Sequence, residues 1–578
     1  MKSKYKYLIL IAITILASIG IYEYIEAATP VDTEEDIIAY QANRESEILS
    51  NTNYSIDNPN VILDPYNISP LTAIVVFQTS DLSTATITVK GKDGDKDITN
   101  TFLPSKTHIL PIYGLYPDYE NTVIISSSGE EKTLTIQTNP LPEDLKNGKS
   151  LDSDNENEFF FTTSENGKPV GYDKNGNIRW YLNKNYKWDF MRLSNGHILM
   201  GNDHLMSAPY YSTGLVEMDM LGKVYFEYNI PGGYHHDVYE LSNGNFLVAS
   251  NNFGSGTIED YIVEIDRNTG EIVKNIDLYD LMPNDDGADW FKMNSLVYDA
   301  STNSITIAGS NKDMLLNIDY ASGEINWIIA EKASKKYEKY LLKANGEVTL
   351  PSNPQGLVLT GNNKFAFING GDENHLIEYE VNLNNKTFKE TKNINLNDSA
   401  DNVNLDYRDN TFIVNQDNVL KKITNDEVTS IIETDHNIYS TSYMNMYAGD
   451  VYIVGSGQRL GSMGVTETTK NTSILFWKTD NSVFDKYNLN IYKDINRLVI
   501  NGTFKKSDDV KIILDNVLDK KTYDVIISET PYINDNKKDN EKVNVSYYIN
   551  EDEMAGKYYI YLKVNGTTYK LQKYVNFY

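Results

Sequence analysis

Seven histidines occur in 578 residues, and two of them, His235 and His236, stand side by side before Asp237 and the turn sequence "LSNGNFLVAS". The pair is either a set of chemical groups aimed at a substrate or an ordinary polar start to a strand. Alternation along a strand sends neighbouring side chains to opposite faces, so only one ring reaches a shared site with ease. That geometry argues against two-ring metal ligation, and no metal site is expected. On composition alone, the simpler reading is a turn–strand junction in which one ring bonds backbone. There is no cysteine, which removes thiol nucleophiles, disulfides, thiolate metal centres and lipid-modified cysteines.

Other chemistry-bearing patterns are weaker. "DSDNENE" places carboxylates at alternate positions, as calcium loops do. It lacks the mid-loop glycine and terminal glutamate, and reads as a solvated linker. "PNDDGADW" reads as an acidic turn. Tyr113, Tyr116 and Tyr119 suit core and domain-interface packing. No Gly-rich phosphate loop or Ser-His-Asp motif points to a nucleotide enzyme or a serine hydrolase.

The elements that must hold such residues are strands. Aromatic and β-branched residues are plentiful, with 43 Tyr and 18 Phe, and few stretches keep a helical apolar period. Residues 61–142 carry short apolar strands between Pro, Gly and Asp turns, as in a small β-sandwich. A polar segment, 143–157, reads as a linker. From 158 to 480 a turn–strand unit recurs as "LSNGHILMGN", "LSNGNFLVASN", "DASTNSITIAGSN", "LTGNNKFAFING", "DYRDNTFIVNQD" and "MYAGDVYIVGSG". Asn-Gly and related pairs supply the positive φ of hairpin turns. Six units at a spacing of roughly 40 to 60 residues predict a six-bladed β-propeller. Residues 481–578 form a small C-terminal β domain, so the expected class is all-β throughout.

A formal charge of -29 argues against nucleic-acid partners and against docking of the folded part on an anionic membrane. Residues 1–30 hold Lys2, Lys4 and Lys6 ahead of the apolar run "YLILIAITILASIGIY". This predicts a signal peptide or membrane anchor and an extracytoplasmic location. Residues 31–60 read as a helical spacer.

In order along the chain come "DPYNISPLTAIVVF", "YGLYPDYENTVII", "DKNGNIRWYL", "GGYHHDVYELSNGNFLV" and "DWFKMNSLVYD". Together they resemble the bacterial arylsulfate sulfotransferase family. The resemblance implies a β-sandwich followed by a six-bladed propeller. It implies sulfuryl transfer from an aryl sulfate to a phenol, without a cofactor, through a sulfated histidine. The partners would be those two small molecules, with N-terminal membrane contact and a homodimer as further candidates. Carried over position by position, it marks His235, His236, Lys292, Asn294 and Asn311 as catalytic candidates. Asp237, Asp289, Trp290, Lys312 and His436 become substrate-binding candidates. Lys292 stands where the family has histidine, Asn311 where it has arginine, and Pro354 where it has its nucleophilic histidine. Lys292 and Lys312 can restore positive charge, and His204, His236 or His436 can offer another nucleophile. The alternative is a non-catalytic relative whose channel binds an aromatic or anionic ligand, a glycan or a partner protein. A surface adhesin is a third.

Overall fold

The computed structural model describes residues 34–447 and most of 483–577, apart from short internal stretches that include 153–158, 203–210 and 253–255. The N-terminal apolar run, His204, all of "DSDNENE" after Asp152 and most of the sixth turn–strand unit lie outside the described residues.

A helix, Glu34–Ser50, opens the described chain. Its Glu45 is buried in an ion pair with Lys223 and accepts a hydrogen bond from Tyr66 Oη. In the segment read as a small β-sandwich, 61–142, the described strands are joined by hydrogen bonds through two long, irregular strands, Ala73–Val89 and Ile98–Ile112, with three shorter strands paired to Ala73–Val89 or to one another. The first five residues of Ala73–Val89 are buried on both faces. Ala73, Val75 and Phe77 face one core, and Ile74 and Val76 face another shared with Phe161, Trp180 and Met218. Continuous apolar packing thus welds the N-terminal sheet to the strands that carry Phe161, Trp180 and Met218. Arg179 extends the joint, donating to Gly114 O and lying 3.4 Å from the centre of the Tyr116 ring.

Six four-stranded antiparallel sheets come next among the described residues, two of them carrying an extra strand. Their first strands are Lys187–Arg192, Val238–Glu240, Met293–Asp299, Gln355–Gly361, Val403–Arg408 and Ile438–Met444. The turns after the first five contain Gly196, Gly244, Asn303, Asn363 and the pair Asp409–Asn410, all at positive φ. The Asn-, Asp- and Gly-rich turns of the sequence are therefore the residues that tolerate this backbone. The sixth sheet is composite. Ile438–Met444 pairs with Phe159–Ser164, which continues into Val170–Tyr172 and Ile178–Tyr181. The chain's late strand thereby closes onto its early ones. Within the stretch read as a linker, Leu145 is buried and Lys149–Ser150 pairs with the last strand of the fifth sheet.

Neighbouring first strands are stitched by side chains that accept from the next strand's backbone. Val238 N–H donates to Asp189, and Leu296 N–H to Asp237 Oδ2 at 2.6 Å. Gly356 and Leu357 donate to Asn294 Oδ1 and Ser295 Oγ at 3.2 and 2.8 Å. Tyr443 N–H reaches Asp406 Oδ2 at 2.9 Å, and Phe190 N–H reaches Ser440 Oγ at 3.3 Å. Between the fourth and fifth sheets a close approach replaces the hydrogen bond. Gly356 has φ 60°, and a Cβ there would lie 2.9 Å from Leu405 N. Only glycine fits.

Two further sheets, drawn from strands between Asn490 and Phe577, share one core that includes Ile500, Ile512, Leu514, Ile560 and Leu562.

Candidate functional site

The first strands of all six sheets converge on a cavity of about 360 Å³. Of the residues singled out by sequence, His236, Asp237 and Asn294 line it. Asp237 and Asn294 also serve as stitches between strands, so their chemistry is tied to the architecture.

His236 faces the cavity because its backbone breaks the strand pattern. Its φ is 55°, a left-handed conformation uncommon for non-glycine residues. This overturns the expectation that the two rings diverge: His235 Nδ1 and His236 Nδ1 are 3.1 Å apart. His235 is buried, and its Nε2–H donates to Ser250 O at 2.9 Å. One ring does bond backbone, as the simpler reading required, but both rings meet. The ligand atoms of His235, His236 and Glu259 all lie within 4.8 Å of one another. Burial pulls both imidazoles down to about 4, opposed at His235 by Glu259 and aided at His236 by Lys292. Both rings are therefore neutral at neutral pH.

Asp189 and Asp237 form a buried carboxyl pair on the same wall. Burial raises both; the Asp189 charge pushes Asp237 further up, while hydrogen bonds from Ser440, Asp237 and Val238 hold Asp189 down, so the proton of the pair sits on Asp237 and is donated to Asp189. Asp189 Oδ1 also accepts from Ser440 Oγ at 2.6 Å. Further round, burial raises Asp406 to about 6, opposed by the Arg408 guanidinium. Asp189, Arg192, Asp406 and Arg408 all line the cavity, and none was singled out from sequence. Arg192 and Arg408 each end the first strand of a sheet, and Asp189 and Asp406 lie two or three residues before them on the same strands.

The remaining candidates scatter. Trp290 is core, with its indole N–H donating to Asp260 Oδ2 at 2.6 Å. Burial raises Asp289 to about 6, with Glu259 adding and Lys292 opposing. Asn311 Nδ2 donates to Asp289 O at 2.7 Å, and Lys312 pairs with Asp286 beside the Trp290 ring. Pro354 stands one residue before the strand that supplies Gly356, Leu357, Val358 and Leu359 to the cavity, and its carbonyl accepts from Ser310 Oγ at 2.8 Å. His436 is away from the cavity, in a loop beside Asp435, with its side chain 37% exposed. The segment expected on the channel side, "TDHNIYSTSYMNMY", does supply the cavity strand, Ile438–Met444, but His436 precedes it.

A strand-built cavity that gathers an imidazole, a proton-sharing carboxyl pair and guanidinium groups is suited to a small anionic ligand. Residues 144–402 match the arylsulfotransferase (ASST) family profile, and residues 60–140 match the arylsulfotransferase Ig-like domain. Together these matches span more than half of the chain, and it belongs to the arylsulfotransferase family. Arylsulfate sulfotransferase AssT of Lelliottia amnigena is 22% identical over 376 residues, which are 53% of this chain and 62% of that protein, less than two thirds of it. AssT of Escherichia coli O6:H1 is 21% identical over 437 residues, covering 53% of this chain and 70% of the relative. A solved structure from Bacteroides fragilis, described as a candidate 6-phosphogluconolactonase, aligns at a TM-score of only 0.32 and 11% identity over 63% of this chain and 99% of its own. Among the described residues no helix is long and apolar enough to cross a membrane.

Proposed function

We propose that the six sheets are the blades of a propeller whose axial cavity takes an aryl sulfate and passes its sulfuryl group to a phenol outside the cytoplasm. The observation that carries this reading is the convergence of His236, the Asp189–Asp237 pair, Arg192 and Arg408 on one cavity. The guanidinium groups hold sulfate oxygens. With Pro354 at the family's nucleophile position, the sulfuryl carrier is His236, neutral and facing the cavity. Its ring nitrogen attacks sulfur, the bond from sulfur to the aryl oxygen breaks, and the departing phenolate takes a proton from the carboxyl pair. The acceptor phenol then returns a proton to that pair as its oxygen takes the sulfuryl group from the ring.

Pro354 also favours a second reading, in which the cavity binds an aromatic sulfate without turnover. One assay separates the two. The full chain in detergent is given an aryl sulfate that releases a coloured phenol, with and without a phenolic acceptor. Acceptor-dependent release supports transfer, and mass spectrometry should then find a sulfated His236. Binding of the ester by calorimetry with no release over hours leaves the second reading standing and removes the first.

A further inference from the structure

We infer that His235, His236 and Glu259 form a site for a divalent transition-metal ion, Zn²⁺ by its chemistry, beside the axial cavity. The inference is independent of sulfuryl transfer. Ser250 O can only accept, so the proton of His235 sits on Nε2 and its Nδ1 presents a lone pair. That nitrogen is 3.1 Å from His236 Nδ1, which lies 3.9 Å from Glu259 Oε2. Ligand atoms at zinc distances and tetrahedral angles are about 3.4 Å apart. The three ligand atoms lie within 4.8 Å of one another, so the widest pair closes by at most about 1.4 Å, shared between two side chains, to bring all three onto one ion.

Second contacts fit the same purpose. Ser250 O orients one ring, and Tyr211 Oη donates to Glu259 Oε1 at 2.8 Å. The face of the other ring rests against Trp188, centroids 4.9 Å apart. The unexplained group is Glu259 Oε2, a buried carboxylate oxygen with no hydrogen-bond partner. A purely protein account lets His236 Nδ1–H donate to His235 Nδ1, which satisfies both rings and leaves that oxygen unserved. An ion satisfies all three.

The backbone supports the reading. His236 and Glu259 both hold φ of 55°, a local cost of the kind that gathers at functional sites. Glu259 is fixed there by its N–H donating to Asn251 Oδ1 at 2.6 Å and its carbonyl accepting from Met293 N–H at 2.8 Å. Two imidazoles and one carboxylate suit zinc and leave a fourth position for water or ligand. His236 also lines the cavity, so that position lies beside it.

An ion on Nδ1 keeps the proton on Nε2, so a metal-bound His236 cannot carry a sulfuryl group. Zn²⁺ should therefore suppress any transfer, although the decisive readout needs no activity. The full chain in detergent, stripped by chelator, is titrated with Co²⁺ as a coloured stand-in and then with Zn²⁺. The expected result is one ion per chain, the intense visible bands of a four-coordinate site, and their loss on Zn²⁺ addition. Glu259→Gln, which keeps the shape, and His235→Ala should each weaken Co²⁺ binding by at least about tenfold. His375→Ala, at an exposed strand end, should leave it unchanged. Absence of visible bands at millimolar Co²⁺, or equal affinity in Glu259→Gln, overturns the site.

Discussion

The second and fourth sheets send equivalent strands to the same cavity, with the same kind of turn behind them. One arrives as His236, Asp237 and Val238, with a proton-sharing carboxyl and a ring held at positive φ. The other arrives as Gly356, Leu357, Val358 and Leu359, preceded by Pro354. Both strands accept or donate in the ring of stitches, so the architecture asks of each only a backbone and one polar anchor. Everything beyond that at the second sheet is chemistry the fold does not require.

The contrast is most exposed to substitution at its two namesake residues. If aryl sulfate turnover is found, His236→Ala should lower it by roughly 100-fold or more, equivalent to at least about 2.7 kcal/mol of barrier. Pro354→Ala should change it by less than about threefold. Equal losses from the two would erase the distinction. Asp237→Ala tests the other half of the second sheet. It leaves Leu296 N–H without its acceptor and takes the shared proton from Asp189, and denaturant unfolding should show a loss of about 2–3 kcal/mol.

On the apolar side, Gly356→Ala needs no chemistry to do harm. A Cβ would meet Leu405 N in a backbone conformation that side chains avoid, so a loss of about 1–3 kcal/mol is expected. A stability change within measurement error would mean that the fourth and fifth strands are farther apart than described.

The smallest expected effect is a pH dependence. Burial raises Asp406 to about 6 from an ordinary value of 3.8. The folded protein thus holds a proton that the unfolded chain has released. Asp406 favours the fold below about 4 and loses that contribution as pH rises through about 6. Asn at 406 does not titrate and keeps an acceptor for Tyr443 N–H. The stability of the wild type relative to Asp406→Asn should therefore fall by at least about 1 kcal/mol between pH 4 and 7. A flat difference would show that Asp406 is already ionised in the folded state.

Much of this organisation was written locally. Positive-φ turns were legible from Asn-Gly and Asp-rich pairs, and the period of those turns marked out the repeated strands. The order of motifs from "DPYNISPLTAIVVF" to "DWFKMNSLVYD" carried the family. His236, Asp237 and Asn294 were legible as cavity residues because they fall within those motifs. Arg192 and Arg408 were not, since an isolated arginine ending a strand has no local signature of where it points.

What the sequence by itself determined, then, is the repeating strand and turn, because φ preferences and alternation act within a few residues. Tertiary structure decided which strand closes the sixth sheet, since Ile438–Met444 and Phe159–Ser164 are far apart in the chain and meet only by pairing. It decided as well that His235 and His236 face each other. That outcome depends on one left-handed residue and on partners drawn from three segments, Tyr211, Ser250 and Glu259, which no spacing in the sequence brings together.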